Sequence, residues 1–271
     1  MKIFFIILVA LKMLHGSQGS YKETYTWFDN ISSKEEISCS KFNNKNTLVI
    51  LVAGQSNAGN HGKGKFSSIN SYELYENKCY KGLDPMLGTT GAGGGPWHRL
   101  GDKIIKRTSK YKNVLFINIS MGGSHIKQWS QQGILYQRII DSFSMLDKNS
   151  LKLDYFLFHQ GETDRHLKTS IKDYIEDFLS MVDGFRSDKN LNNFPIVLAV
   201  ATRCQSDIDV NIQNAQYEIL NLRKNIYLGP NTDDIYSKKD RIDMCHMSDI
   251  GLEKHSNGWL NILLNLEKLQ K

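Results

Sequence analysis

The run Leu48-Val49-Ile50-Leu51-Val52-Ala53, ending at Gly54-Gln55-Ser56-Asn57, constrains this chain more than any other stretch. Six apolar residues rich in β-branched types, with no polar alternation, fit a strand buried on both faces, as strands of a parallel sheet are. Such a strand needs neighbours to hydrogen-bond and helices to cover it. Where it ends, a glycine, an amide and a hydroxyl follow. In open α/β sheets, ligands bind at the carboxyl ends of strands, and a helix starting there aims N–H groups at the same spot. Ser56 is therefore a candidate nucleophile. Serine is also a favoured N-cap, so on this stretch alone Ser56 reads equally as the cap of a following helix.

The pattern recurs along the chain. Strands are expected at 114–119, 155–158, 195–200 and 225–228, and helices at 97–109, 134–146, from 171 through 182, at 210–222 and at 249–269. Alternating strands and helices predict a mostly parallel sheet covered on both sides. The segment 21–46 reads as a polar lead-in. Residues 59–96 lack periodicity and read as a long loop over the active face. Within them, Gly91-Ala92-Gly93-Gly94-Gly95 is expected to be a flexible connection. It neither follows a strand nor ends in Gly-Lys-Ser/Thr, so it is no phosphate loop.

The ends of the chain's strands carry the polar residues. Ser120-Met121-Gly122-Gly123-Ser124 follows the second strand, and His159-Gln160-Gly161-Glu162-Thr163-Asp164 follows the third. Asp243-Met244-Cys245-His246 precedes the last helix, where a loop can swing over the same edge. An Asp three residues before a His can bond back to the imidazole, fixing its tautomer and stabilising the imidazolium formed when it takes a proton from serine. A tetrahedral intermediate then needs donors, and the N–H of Ser56, that of Gly122 or Gly123 and the Gln160 side-chain amide are the natural ones.

Taken together, Gly-Gln-Ser-Asn at 54–57, Gly-Gly-Ser at 122–124, Gln-Gly-Glu-Thr-Asp at 160–164 and Asp-x-x-His at 243–246 resemble the motifs of the SGNH hydrolases. They look most like the sialate O-acetylesterase and acetylxylan esterase branch, similar to carbohydrate esterase family 6. The resemblance spans roughly Leu48 to Trp259. It implies a flavodoxin-like three-layer α/β/α sandwich, and removal of O-acetyl groups from a carbohydrate with no metal or organic cofactor. It carries Ser56 over as nucleophile, His246 as base and Asp243 as its orienting partner. The broader superfamily has asparagine where this chain, like the branch it resembles, has Gln160. Gln55, Asn57, Glu162 and Asp164 are expected to hold the site from behind, with a purely structural role equally open for the two acids. His159 is expected to brace Gln160. His61, His98, His125, His166 and His255 need no chemistry, and Trp97, Trp129 and Tyr136 are read as core residues before sugar-stacking ones.

Alternatives remain at this level. The same constellation serves lipases and thioesterases, and a carbohydrate-binding protein could keep the fold without catalysis. α/β-hydrolases built on Gly-x-Ser-x-Gly are excluded, since Ala58 stands two residues after Ser56.

Composition bounds the setting. The formal net charge of +6 is spread among alternating lysines and acids, with no like-charge block of the kind that binds nucleic acid. Lys2, the apolar run from Ile3 to Leu11 and the small residues Gly16, Ser17, Gly19 and Ser20 fit a secretory signal over 1–19, leaving 20–271 as one domain. The run is too short to span a bilayer. Lys12 and His15 make it irregular, so an uncleaved anchor or a buried strand stays open. Export to a secreted or periplasmic location would place Cys39, Cys79, Cys204 and Cys245 where two disulfides can form. Of three pairings, Cys204–Cys245 is preferred because it ties two loops of one face, which leaves Cys39 to Cys79. Four buried free thiols are the alternative. An O-acetylated carbohydrate is the expected partner, with neither nucleic acid nor stable membrane insertion.

Overall fold

The computed structural model describes residues 20–205 and 207–269; the expected signal at 1–19 lies outside the described residues. Strands β1 (Glu36–Ile37), β2 (Thr47–Gly54), β3 (Ser67–Tyr75), β4 (Lys78–Leu83), β5 (Asn113–Asn118), β6 (Tyr155–His159), β7 (Ile196–Val200) and β8 (Ile226–Asn231) form one sheet in the order β1-β4-β3-β5-β2-β6-β7-β8. From β3 to β8 every pairing is parallel, and β4 and β1 extend the edge antiparallel. The helices are α1 (Tyr21–Thr24), α2 (Trp97–Arg107), α3 (Ile126–Trp129), α4 (Tyr136–Lys148), α5 (Glu162–Leu167), α6 (Ile171–Asp188), α7 (Val210–Leu222) and α8 (Asp249–Leu269).

Every residue of β2 is buried. Val49, Leu51 and Ala53 point into one core layer with Trp129, Ile139, Phe178 and Ile212 of α3, α4, α6 and α7. Leu48, Ile50 and Val52 point into the other, with Trp97, Leu100, Trp259 and Leu263 of α2 and α8. This is the period-2 alternation of a strand with apolar cover on each side, hence the unbroken apolar run. Fully buried side chains such as Ile50 and Leu51 each contribute about 1.5–3 kcal/mol of transfer free energy. The sandwich expected from sequence is therefore present, with Trp97, Trp129 and Tyr136 in its core.

Topology places the site. Within the parallel part of the sheet, β3-β5-β2-β6-β7-β8, the last five strands keep the flavodoxin arrangement, with β5 and β6 on opposite sides of β2. The crevice at such a reversal opens at the carboxyl end of β2, where Gly54 hands over to Ser56.

Two expectations need correction. The segment 59–96 is not a structureless loop, because it contains the β3–β4 hairpin, whose turn residues Glu76 and Asn77 both have positive φ. The glycine run is not a free connection either. Gly93 N–H donates to the Asn60 carbonyl at 2.7 Å, and Gly94 exchanges hydrogen bonds of 2.9 and 3.0 Å with Gly62. Both disulfides expected as the preferred pairing are present, Cys39–Cys79 with Cα atoms 5.2 Å apart and Cys204–Cys245 with 4.1 Å. Among the described residues, no helix is long and apolar enough to cross a membrane.

Candidate active site

Gly54 adopts φ +133°, and a Cβ there would meet the His159 carbonyl oxygen at 1.9 Å. Only glycine lets β2 turn so close to β6, which the Gln55 N–H then bonds through the His159 carbonyl at 3.0 Å. Ser56 opens a single 3₁₀ turn, Ser56–Ala58, and no α-helix follows it. The expected helix cap is thus absent. Ser56 is 6% exposed, and it lines an open cleft of about 570 Å³ together with His61, Thr90, Gly122, Gly123, Arg165 and His246. A larger hollow of about 750 Å³ beside Tyr25 and Ile134 lies away from Ser56.

Asp243 and His246 are joined locally, as their spacing predicts. Asp243 Oδ1 accepts the N–H groups of Cys245 at 3.0 Å and His246 at 2.6 Å, and Oδ2 accepts from His246 Nδ1 at 2.7 Å. The carboxylate thus folds the turn and orients the ring, so that in the neutral imidazole Nδ1 carries the proton and Nε2 is the acceptor. Burial pushes the Asp243 carboxyl up, but the His246 and Cys245 donors and the His246 charge outweigh it and hold it below the usual range. No hydrogen bond joins Ser56 Oγ to His246 among the described residues; the two meet as walls of one cleft. Unliganded sites of this kind tighten on substrate.

Behind the nucleophile lies a buried polar layer. Gln55 Oε1 accepts from Thr163 N–H at 3.0 Å and from Gly161 N–H at 3.3 Å, pinning the loop after β6 to the Ser56 turn. Asn57 Nδ2 donates to Glu162 Oε1 at 2.8 Å and to the Cys245 carbonyl at 3.2 Å. Burial raises Glu162, but the charge and hydrogen bond of His159 and the bond from Asn57 more than offset it, so the carboxyl lies below its usual range. His159 bonds Glu162 and His255 rather than bracing Gln160. The His255 ring, pushed well down by burial and then by the His159 and Arg241 charges, accepts at Nε2 from the Trp259 indole at 3.0 Å.

Two expected oxyanion donors are engaged elsewhere. Gly122 N–H donates to Thr90 Oγ1 at 2.7 Å. Gln160 is fully buried, and its amide donates to the Ser124 carbonyl at 3.2 Å, to Gln55 Oε1 at 3.3 Å and to Asp164 Oδ2. It sits beneath the cleft because Asp164 is held there by Ile126 N–H and the Thr169 hydroxyl. Gly123 has φ +72°, and nothing lies within 4 Å of where its Cβ would stand.

Sequence reading missed Arg241. Its guanidinium is buried under the Asp243–His246 turn, donating to the carbonyls of Ile235 at 2.6 Å, Thr232 at 3.0 Å and Arg203 at 3.1 Å, and to that of Cys245. Three of these acceptors lie on the same connection between β8 and α8, four to nine residues from Arg241, and Arg203 lies on the loop after β7; none of these separations forms a recognisable motif. Among the described residues no cluster of side chains could hold a metal ion.

A family profile described as carbohydrate esterase, sialic acid-specific acetylesterase, matches residues 46–256. No curated protein matches the sequence at a significant level. Solved structures share the fold. A protein from Arabidopsis thaliana is 18% identical, with a TM-score of 0.64 over 82% of this chain and 99% of that one. The crystal structure of NanS is 16% identical, with a TM-score of 0.60 over 83% and 98%. A carbohydrate acetylesterase from Xanthomonas citri is 12% identical, with a TM-score of 0.51 over 78% of this chain and 55% of that one.

Proposed function

The chain belongs to the carbohydrate esterase family of sialic acid-specific acetylesterases, and from that premise we propose that Ser56, His246 and Asp243 hydrolyse O-acetyl esters of sialic acid. It is a hydrolase of carboxylic esters. The observation that carries the triad is the Asp243–His246 hydrogen bond of 2.7 Å on the wall of the same cleft as Ser56, at the carboxyl end of β2.

In this reading, His246 Nε2 takes the Ser56 proton as Oγ attacks the acetyl carbonyl, and Asp243 stabilises the imidazolium. The tetrahedral oxyanion sits against the Ser56 N–H, which opens its turn without an acceptor within it, and the Gly123 N–H. Collapse expels the sugar oxygen, which takes the proton from His246 and leaves acetyl-Ser56. His246 then deprotonates a water that attacks the acetyl-enzyme, and as the second tetrahedral intermediate collapses it returns that proton to Ser56 Oγ, releasing acetate. Gln160 and Gly122 shape the pocket rather than donate. Arg165, held by the Cys204 carbonyl at 2.6 Å, presents a cation on the cleft wall that suits the carboxylate of a sialic acid. The two disulfides fit a secreted or periplasmic setting.

Ser56→Ala is expected to abolish acetate release from p-nitrophenyl acetate and from O-acetylated sialic acid, while Arg165→Gln raises KM only for the sialic acid. Activity retained in Ser56→Ala overturns the nucleophile. Acetate release from acetylated xylan or another neutral glycan, in preference to sialic acid, overturns the substrate.

A further inference from the structure

The His246 ring is a quarter exposed and its Asp243 partner is half exposed, so the bond at Nδ1 alone leaves the imidazole free to rock about that contact. A second ring lies against it. His61 stacks on His246 with centroids 5.2 Å apart and planes 22° from parallel. His61 is itself fixed, with Nε2 3.0 Å from Thr90 Oγ1, the hydroxyl that accepts the Gly122 N–H at 2.7 Å. Half-buried on the cleft wall, it is approached by backbone at Gly91 and Gly122. A Cβ added at Gly122 would meet His61 Nε2 at 2.9 Å, and one at Gly91 would meet its Cδ2 at the same distance. The imidazole thus lies close against Gly122 and Gly91, although at Gly91 the Asn60 backbone, 2.6 Å from such a Cβ, and the φ of +93° call for glycine first.

We propose that His61 is a positioning residue for the base: pinned to Thr90 and stacked on His246, it holds the His246 imidazole in the plane that faces Ser56. The inference rests on the reading of His246 as base. Burial, then the His246 charge, lowers the His61 ring to about 4 against a smaller opposing effect of Asp243, so His61 stays uncharged while the enzyme works. Its Nε2 then accepts the Thr90 hydroxyl proton, which completes the chain Gly122 N–H to Thr90 to His61. An uncharged ring can lie against the imidazolium that His246 becomes without repelling it. One short network therefore links the base to the loop that carries Gly123.

The test uses the full chain with p-nitrophenyl acetate. His61→Ala is expected to lower kcat about tenfold with KM changed less than about threefold, because the base is misplaced and binding is not. His61→Phe, which keeps a ring over His246, should recover about half of that loss on a logarithmic scale. His61→Lys sets a cation beside the base and should move the acid limb of the kcat/KM profile about one unit towards lower pH. The other charged or titratable groups around His246 are Asp243 on its own turn, Glu162, Arg165 and His166 on α5, and Arg241 behind the turn; all are unchanged in these variants. A kcat within about twofold of the parent in His61→Ala, or an unmoved acid limb in His61→Lys, overturns the proposal. Should His61→Ala not fold, Thr90→Val leaves the ring unpinned and should lower kcat about threefold at constant KM, and an unchanged kcat is equally fatal. Ser56→Ala separates the two levels: if it stays active, the triad fails, whereas a dead Ser56→Ala beside an unaffected His61→Ala removes only the role of His61.

Discussion

Asn57 Nδ2 lies 2.8 Å from Glu162 Oε1, so the residue after Ser56 is tied directly to the first residue of α5. The same amide reaches the Cys245 carbonyl next to His246. One side chain thus joins the nucleophile's turn, the loop after β6 and the base's turn. Glu162→Ala would leave His159 and Asn57 without their shared acceptor in a site that is 3% exposed. Leaving buried donors without their acceptor costs about 1–3 kcal/mol each. We expect a denaturant midpoint lowered to match, and kcat down by about tenfold to a hundredfold through misplacement of Ser56. A normal kcat in a correctly folded Glu162→Ala would separate this layer from the chemistry.

Asp243→Asn tests the orienting role without emptying the turn. The amide oxygen can still accept the Cys245 and His246 N–H groups, but its NH2 now faces His246 Nδ1 and favours the wrong tautomer. By analogy with serine hydrolases generally, kcat should fall by about 10³- to 10⁴-fold with little change in KM. Steady-state kinetics at one pH suffice, and a loss of less than about tenfold would mean that another group orients the base.

What was legible in the sequence was local. β2, β5, β6 and β7 declare themselves because strands buried on both faces are unbroken apolar runs, and Asp243 and His246 meet because their contact spans three residues. The β3–β4 hairpin hid because its buried positions are mixed. Ser68, Ser71 and Glu73 face inward, and Glu73 is matched by Lys34, 39 residues away. The bond from Arg241 to the Arg203 carbonyl, and the stack of His61 on His246, are contacts between loops that no spacing encodes. Gly122 and Gln160 were placed on the right loops, but their donors were already committed to Thr90 and Asp164.

The two disulfides should separate by function. Cys204–Cys245 joins the loop after β7 to the residue before His246, whereas Cys39–Cys79 ties the segment before β2 to β4, three strands away from β2. Each closes a loop of similar length and should contribute about 2–4 kcal/mol. Serine replacement of either pair should therefore lower the melting temperature comparably. Only Cys204→Ser with Cys245→Ser should also lower kcat, since it frees the turn that carries the base. Equal kcat in both double variants would show that Arg241 and Asp243 hold the turn unaided.

His98 supplies a pH dependence that can be isolated. It lies on α2, fully buried, with Nδ1 2.7 Å from Ser71 Oγ. Burial, and then the charge of Lys34, lowers it from 6.5 to about 3. The folded protein thus binds this proton less readily than the unfolded chain. The associated stability is fully present above about pH 6.5 and is lost as pH falls towards 3, with a slope of at most about 1.4 kcal/mol per unit. Glu73 and Asp84, pushed up to about 7 by burial, act in the opposite sense, gaining stability as pH falls through that value. A bare profile of the parent mixes these effects. His98→Gln removes one proton site and leaves the carboxyls in place, so the stability gap between parent and variant should narrow steadily from pH 6.5 to pH 4. Urea melts at four pH values measure it, and a gap that stays constant over that range would mean that His98 does not titrate differently on folding.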